Sequence, residues 1–276
     1  MPDIKLIASD IDGTLLPFGG VISQATKDII EECRQRGVLF VIASGRCYPS
    51  AASVAREMGI RAPIICANGG CIHDENGRII HEDVFTPEES ETCFNIIKDC
   101  GWMITSYVRG KIIRLNTETM FSGQNKGRPW VFDDPDFEVI DDDPARMDSE
   151  GRDRVYKYEV YAKDPALLAR LSRELTEAGL NVSSSVPTDI EIMSPSAGKG
   201  VEVRWLAEQI GATREQTMAF GDNTNDLQML SAVGWPVAMG NAVDELKAAA
   251  RLIAPHCAED GVARVIAQYV FGRDAL

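Results

Sequence analysis

The run Lys5-Leu6-Ile7-Ala8-Ser9-Asp10-Ile11-Asp12-Gly13-Thr14-Leu15 constrains this chain more than any other stretch: an apolar strand ends on two carboxylates one residue apart, followed by a Gly-Thr turn. Burying an unpaired charge is expensive. Two acids this close repel each other, so a divalent cation or a shared proton is the natural compensation, and one of the pair would then carry a raised pKa. A plainer reading has Asp12 capping a helix and Asp10 exposed at the end of the strand. The stretch alone does not choose between them.

The choice is made far along the chain. Phe220-Gly221-Asp222-Asn223-Thr224-Asn225-Asp226 follows Thr217-Met218-Ala219, a second short apolar strand that ends in acids and amides. Ligands of open parallel sheets bind beyond the carboxyl ends of the strands, so both acidic turns would open on one edge. Between them, Val38 to Ala43 is a strand that delivers Ser44-Gly45-Arg46, and Ser196-Ala197-Gly198-Lys199-Gly200 supplies a lysine. Two acids, a hydroxyl, a lysine and more acids suit a metal and a phosphate.

These stretches resemble the haloacid dehalogenase superfamily and, within it, the Cof-like sugar-phosphatase branch with a type IIB cap. Asp10-Ile11-Asp12-Gly13-Thr14 matches the first motif, Ser44-Gly45-Arg46 the second, Lys199 the third and Gly221-Asp222-Asn223-Thr224-Asn225-Asp226 the fourth. Ala67-Asn68-Gly69-Gly70, where this branch usually has Asn-Gly-Ala, and Glu259-Asp260-Gly261-Val262-Ala263 extend the match. The resemblance implies a phosphatase that uses Mg²⁺ and an aspartyl-phosphate on Asp10 to hydrolyse a small phosphorylated metabolite, a sugar phosphate or cofactor phosphate. It implies Asp10, the Asp12 backbone carbonyl and Asp222 as metal ligands, with the Asp12 side chain as general acid and then base. Ser44 and Lys199 would hold the transferring phosphoryl, with Asn225 close by, and Asp226 would orient Lys199 and the metal's water. Arg46 reads either as a structural salt bridge or as a substrate contact; Gly45, Asn68 and Gly69 read as neighbours of the substrate.

Three other readings stand beside this one. A phosphomutase of the same superfamily would keep the phosphoryl and hand it back. A two-component receiver also combines clustered acids, a hydroxyl and a lysine on a doubly wound sheet, but the late cluster at Asp222 and Asp226 and an inserted module argue against it. A catalytically idle ligand-binding relative is opposed by the intact Asp10 and Asp12.

A net charge of -14 argues against nucleic acid or anionic membrane as a partner, since those surfaces demand clustered Lys and Arg. The N-terminus lacks a basic segment leading into an apolar run, and no stretch approaches the roughly 20 apolar residues that span a bilayer, so the expected location is the cytoplasm. The seven cysteines, Cys33, Cys47, Cys66, Cys71, Cys93, Cys100 and Cys257, form no C-x-x-C, and His73, His81 and His256 lie apart. Neither a zinc pattern nor a disulfide framework is visible. Cys47, beside the second motif, reads as a small turn residue.

Strands and helices alternate in both flanking parts. Helices are expected over 24–36 behind Ser23, over 49–58, and over 201–210, with a hairpin on Glu75-Asn76-Gly77 at the sheet edge. The middle repeats an α-β-β order, with a helix over 88–99 and strands over 102–109 and 111–115. The second unit has a helix over 165–178 and strands over 181–185 and 190–193, and a strand over 156–162 lies between the two units. The expected fold is therefore α/β, a doubly wound parallel Rossmann-like sheet built from residues 1–84 and 194–276, interrupted by an α+β cap over 85–193. The acidic runs Asp133-Asp134-Pro135-Asp136 and Asp141-Asp142-Asp143-Pro144 lack the glycine and glutamate of a helix-loop-helix calcium site and read as a solvated loop. Trp130 and Phe132 before them read as cap core.

Overall fold

The computed structural model describes residues 2–17, 20–121 and 137–273, the side chains of Met120 and Phe121 excepted. The first acidic run, Trp130 and Phe132 fall outside this set. In chain order the first part runs β1 (Leu6–Ser9), α1 (Gln24–Gln35), β2 (Leu39–Ala43), α2 (Tyr48–Met58), β3 (Ile64–Cys66), β4 (Cys71–His73) and β5 (Ile79–Glu82). The middle part is α3 (Pro87–Ile97), β6 (Met103–Val108), β7 (Lys111–Leu115), the single turn α4 (Glu118–Phe121), β8 (Glu138–Asp141), α5 (Pro144–Ser149), β9 (Lys157–Tyr161), α6 (Pro165–Glu177), β10 (Asn181–Ser183) and β11 (Asp189–Met193). The last part is α7 (Lys199–Gln209), β12 (Thr217–Gly221), α8 (Leu227–Ala232), β13 (Trp235–Ala238), α9 (Asp244–Ala249), β14 (Leu252–Ile253) and α10 (Gly261–Val265), which widens into a π-turn over Ile266–Val270.

Two sheets result. The larger has the order β14-β13-β12-β1-β2-β3-β4-β5, and the smaller β10-β11-β9-β6-β7-β8. β1 lies inside the large sheet, parallel to both β12 and β2, with Ser9 opposite Phe220 on one side and Ile42 on the other. All four of its residues are buried, as a strand covered on both faces requires. That register brings the carboxyl ends of β1, β2 and β12 side by side, so the residues that follow each strand emerge together. The hairpin expected on Asn76-Gly77 forms at the edge, where β4 and β5 pair antiparallel and Gly77 adopts φ +85°.

Local signals account for the helix boundaries. Ser23 accepts the Thr26 N–H at the start of α1, and Gly59 closes α2 in the left-handed region. Thr86 and Glu89 form a capping box on α3.

Two expectations are corrected. Lys199 is the first residue of α7 rather than part of a loop, because the helix begins as soon as Gly198 ends its extended turn. The acidic run at 141–143 is solvent-facing as expected, but it is a short turn between two elements rather than part of a long loop. Asp141 ends β8 and pairs with Arg114, Asp142 turns the chain at φ +54° and accepts from Thr117, and Asp143 caps α5 through the Arg146 N–H. β8, parallel to β7, and α5 were not anticipated, since their short apolar patterns are submerged in acids.

Candidate active site

Lys199 organises the floor of the site. Its Nζ donates to Asp10 Oδ1 and to Asp226 Oδ1, each at 2.7 Å, and its side chain is fully buried. Burial alone would push this ammonium down, but Asp10 and Asp226 outweigh it and hold the lysine above its usual range. Asp226 is fully engaged: its Oδ2 accepts the backbone N–H groups of Asp222 and Asn223 at 3.0 and 3.3 Å. Asp222 Oδ1 accepts the Thr14 hydroxyl at 2.8 Å. Among the described residues no hydrogen bond takes the remaining oxygen of Asp10 or of Asp222.

Carboxylate oxygens of Asp10, Asp222 and Asp226 lie within 4.8 Å of one another, all three residues buried. Burial raises the Asp10 carboxyl well above the ordinary range, Lys199 opposes this, and Asp226 and Asp222 push it further up. Asp222 is likewise raised to about 6, first by burial and then by Asp226. Three acids against one lysine leave excess negative charge in a dry place. The donors are hard oxygens, which suits a magnesium-class cation better than zinc. Gly13, at φ +80°, makes room for the cluster, because a Cβ there would collide with the Asp222 carboxylate.

Asp12 and Arg46 form the other side of the floor. Arg46 grips the Asp12 carboxylate as a fork, with Nε 2.8 Å from one oxygen and Nη2 2.7 Å from the other. The structural salt bridge is therefore formed, and both residues also line the cavity. Ser44 is buried behind them, its Oγ accepting the Arg46 N–H at 3.2 Å.

A cavity of about 410 Å³ opens between this floor and the small sheet. Asp10, Asp12, Ser44, Gly45, Arg46, Asp222 and Asn225 all reach it. Asn68 and Gly69 are not among its lining residues. Gly69, at φ +105°, lies so close to the Gly198 backbone that a Cβ would overlap it, so it fixes the approach to Lys199; Asn68 stands behind Gly45.

The roof went unread in the sequence. Antiparallel register aligns Arg114, Thr105, Glu159 and Glu191 across four strands, with Tyr107 opposite Lys157 in the next row. All six line the cavity. Lys157 Nζ donates to Glu191 at 2.6 Å and to the Gly45 carbonyl at 2.9 Å, fastening roof to floor, while the Tyr107 hydroxyl donates to Glu159. Asn223 Nδ2 makes a second tie, donating to the Ser185 carbonyl at 2.8 Å. The signal for the roof was present as alternation: Lys157-Tyr158-Glu159 and Asp189-Ile190-Glu191 put charge on every second residue of buried strands.

The family model described as haloacid dehalogenase-like hydrolase matches residues 7–266. The 5-amino-6-(5-phospho-D-ribitylamino)uracil phosphatase YcsE of Bacillus subtilis is 29% identical over 268 residues, covering 97% of this chain and 96% of that protein. An HMP-PP phosphatase of Serratia proteamaculans is 24% identical over 278 residues, covering 96% of this chain and 95% of its own. Among solved structures, a haloacid dehalogenase-like hydrolase from B. subtilis superimposes with a TM-score of 0.83 at 24% identity, covering 96% of this chain and all of that one. With the motifs on one sheet edge and a match running almost end to end, this chain belongs to the haloacid dehalogenase-like hydrolases.

Proposed function

We propose that this chain is a phosphoric monoester hydrolase that releases phosphate from a small phosphorylated metabolite and requires Mg²⁺. The observation that carries this reading is Lys199 held at 2.7 Å from both Asp10 and Asp226, just behind Asp10 and Asp222, which line the cavity. The two relatives named for a phosphoribitylamino-uracil and for HMP-PP support a compact phosphorylated metabolite, and the cavity volume agrees with one.

In this reading the Asp10 oxygen not held by Lys199 attacks phosphorus, forming an aspartyl-phosphate as the ester P–O bond breaks. The leaving alkoxide takes a proton from Asp12. A water then attacks the phosphorus, Asp12 receives its proton, and Asp10 and inorganic phosphate are released; the net change is addition of one water across the ester. Lys199 and the Ser44 hydroxyl offer fixed donors to the phosphoryl oxygens. Asp10, the Asp12 carbonyl and Asp222 would hold Mg²⁺, which when bound supplies positive charge against the phosphoryl oxygens. A proton moving to or from Asp12 must disturb the Arg46 fork, so Arg46 sets which way that carboxyl points. Residues 85–193 act as the cap that closes over the leaving group, and residues 1–84 and 194–276 as the catalytic core.

Phosphate release from a panel of sugar phosphates, phosphorylated heterocycles and nitrophenyl phosphate, with and without Mg²⁺, tests the reading. Mg²⁺-dependent turnover that disappears in Asp10→Asn supports it; turnover of none of them by the wild type, or undiminished turnover by the variant, overturns it.

A further inference from the structure

Two thiols and an imidazole meet on one face of the large sheet, apart from the Asp10, Asp222 and Asp226 cluster. Cys66 on β3 is directly opposite Cys71 on β4 in the antiparallel register. Cys71 and His73 are two residues apart on one strand, so their side chains leave the same face. The Sγ atoms and a ring nitrogen of His73 all lie within 4.8 Å of one another, with Cys71 Sγ 3.9 Å from His73 Nδ1. All three residues are buried, yet they line a cavity of about 400 Å³ that gives a fourth position room for water or a small ligand. The imidazole is fixed by Tyr48, whose ring stacks on it at 3.9 Å and 13°.

We propose that Cys66, Cys71 and His73 form a second metal site, selective for a soft d¹⁰ cation such as Zn²⁺ or Cu⁺ and distinct from the carboxylate floor. Thiolate and imidazole ligands select such ions over magnesium or calcium. Tetrahedral zinc with bonds of about 2.3 Å to sulfur spaces its ligand atoms about 3.8 Å apart, so the trio closes on the ion with movements under about 1 Å. Binding expels thiol protons to solvent and changes no oxidation state. The spacing Cys-x₄-Cys-x-His carries no recognised zinc signature; the hairpin register, not the chain, creates the site. This cavity and the one above the acids share Cys47 and Tyr107 as walls, so an ion here lies beside the catalytic chamber without using its ligands.

The test uses the full chain, reduced with a phosphine, with excess Mg²⁺ to fill the carboxylate site, titrated with Co²⁺. The expected result is a thiolate-to-cobalt charge-transfer band that saturates at one cobalt per chain. The band should fall to about half in Cys66→Ser, as one of two thiolates is lost, and vanish in Cys66→Ser/Cys71→Ser. His73→Gln should weaken cobalt binding by about 10-fold or more. No band in the wild type, or a band unchanged in the double variant, overturns the proposal. X-ray absorption of the wild type loaded with one equivalent of Zn²⁺ tests the site without any variant: two sulfurs and a nitrogen support it, and an oxygen-only shell overturns it.

Discussion

Floor and roof of the cavity solve the same problem, buried acids, in opposite ways. On the floor, Asp10, Asp222 and Asp226 share one lysine and remain over-charged, which leaves a vacancy in charge that a cation or phosphoryl-binding chemistry can use. On the roof, Glu159 and Glu191 face each other across β9 and β11, and Lys157 sits between them, 2.6 Å from one and 3.4 Å from the other. Burial would push the Lys157 ammonium down, but the two glutamates raise it. Its Nζ also lies 4.4 Å from the centre of the Tyr107 ring. Both regions set more acids than lysines in a buried place; the floor leaves oxygens of Asp10 and Asp222 without a hydrogen bond among the described residues and facing the cavity, whereas the roof ties its lysine to Glu191 and the Gly45 carbonyl and its Tyr107 hydroxyl to Glu159.

Breaking the floor should have the largest effect. Asp10→Asn removes the oxygen proposed to attack phosphorus and should lower turnover by on the order of 10⁴ or more. Loss of one of three clustered negative charges should leave the melting temperature equal or higher, which thermal melting checks directly. Chelation of metal should abolish turnover as completely, with recovery on adding Mg²⁺; full activity in metal-free buffer would sink the comparison, since the floor would then need no outside charge.

Asp12→Asn is the next smaller change. It keeps the backbone carbonyl and the volume but would end the proton transfer proposed for this side chain, with an expected loss of about 10²- to 10⁴-fold on a sugar phosphate. Nitrophenyl phosphate, whose leaving group departs without a proton, should lose less in single-turnover phosphorylation. Because the substitution also loosens the Arg46 fork, Arg46→Met serves as the control. A leaving-group dependence seen in Asp12→Asn but not in Arg46→Met assigns the effect to the proton; equal slowing of both esters counts against it.

Much of the floor was legible in the sequence because Asp10, Ser44 and Asp222 each follow an apolar strand in a parallel sheet, and strand ends converge in space wherever they stand in the chain. Asp10, Ser44 and Asp222 are thus readable once their strand ends are taken together. Lys199 needed the motif order, since a Gly-Lys-Gly run does not announce that its helix will aim the ammonium at two acids. The roof depends on antiparallel register, which pairs Thr105 with Glu159 and Glu159 with Glu191, and register follows from packing rather than from any one segment. Gly69 was misleading for a related reason: a glycine demanded by the approach of the Gly198 backbone has the same letter as one demanded by a substrate.

Lys157→Met probes the roof. It leaves Glu159 and Glu191 buried without their cation, and breaking a buried pair in this way costs about 3–5 kcal/mol. The tie to the Gly45 carbonyl is lost as well, so KM for a metabolite ester should rise several-fold while kcat for nitrophenyl phosphate, whose small ring asks little of the roof, stays near wild type. An unchanged KM would mean the roof does not hold the leaving group.

A third treatment of a buried acid gives the smallest effect on turnover and the sharpest control. Glu202, on α7, is fully buried, and neither of its oxygens accepts a hydrogen bond among the described residues; His81 Nδ1 on β5 stands 3.6 Å away. It has neither the metal-suited setting of the floor nor the lysine of the roof, so it keeps its proton: burial, then Asp83 and Cys71, raises it from 4.5 to about 8. The native state therefore holds a proton that the unfolded chain gives up near 4.5. Stability from this group is complete below that value, falls by at most about 1.4 kcal/mol per pH unit as pH rises, and levels off above the folded value. Glu202→Gln is neutral throughout and removes the slope. Its melting temperature should exceed that of the wild type by an increment that grows from about pH 6 to about pH 9, at roughly 2–4 °C per kcal/mol for a chain of this size, with turnover unchanged. Melting curves of the two proteins across that range decide the matter. A difference that does not change with pH would show that Glu202 carries its charge against His81, and that this fold does not bury an acid without either a cation or a proton to answer it.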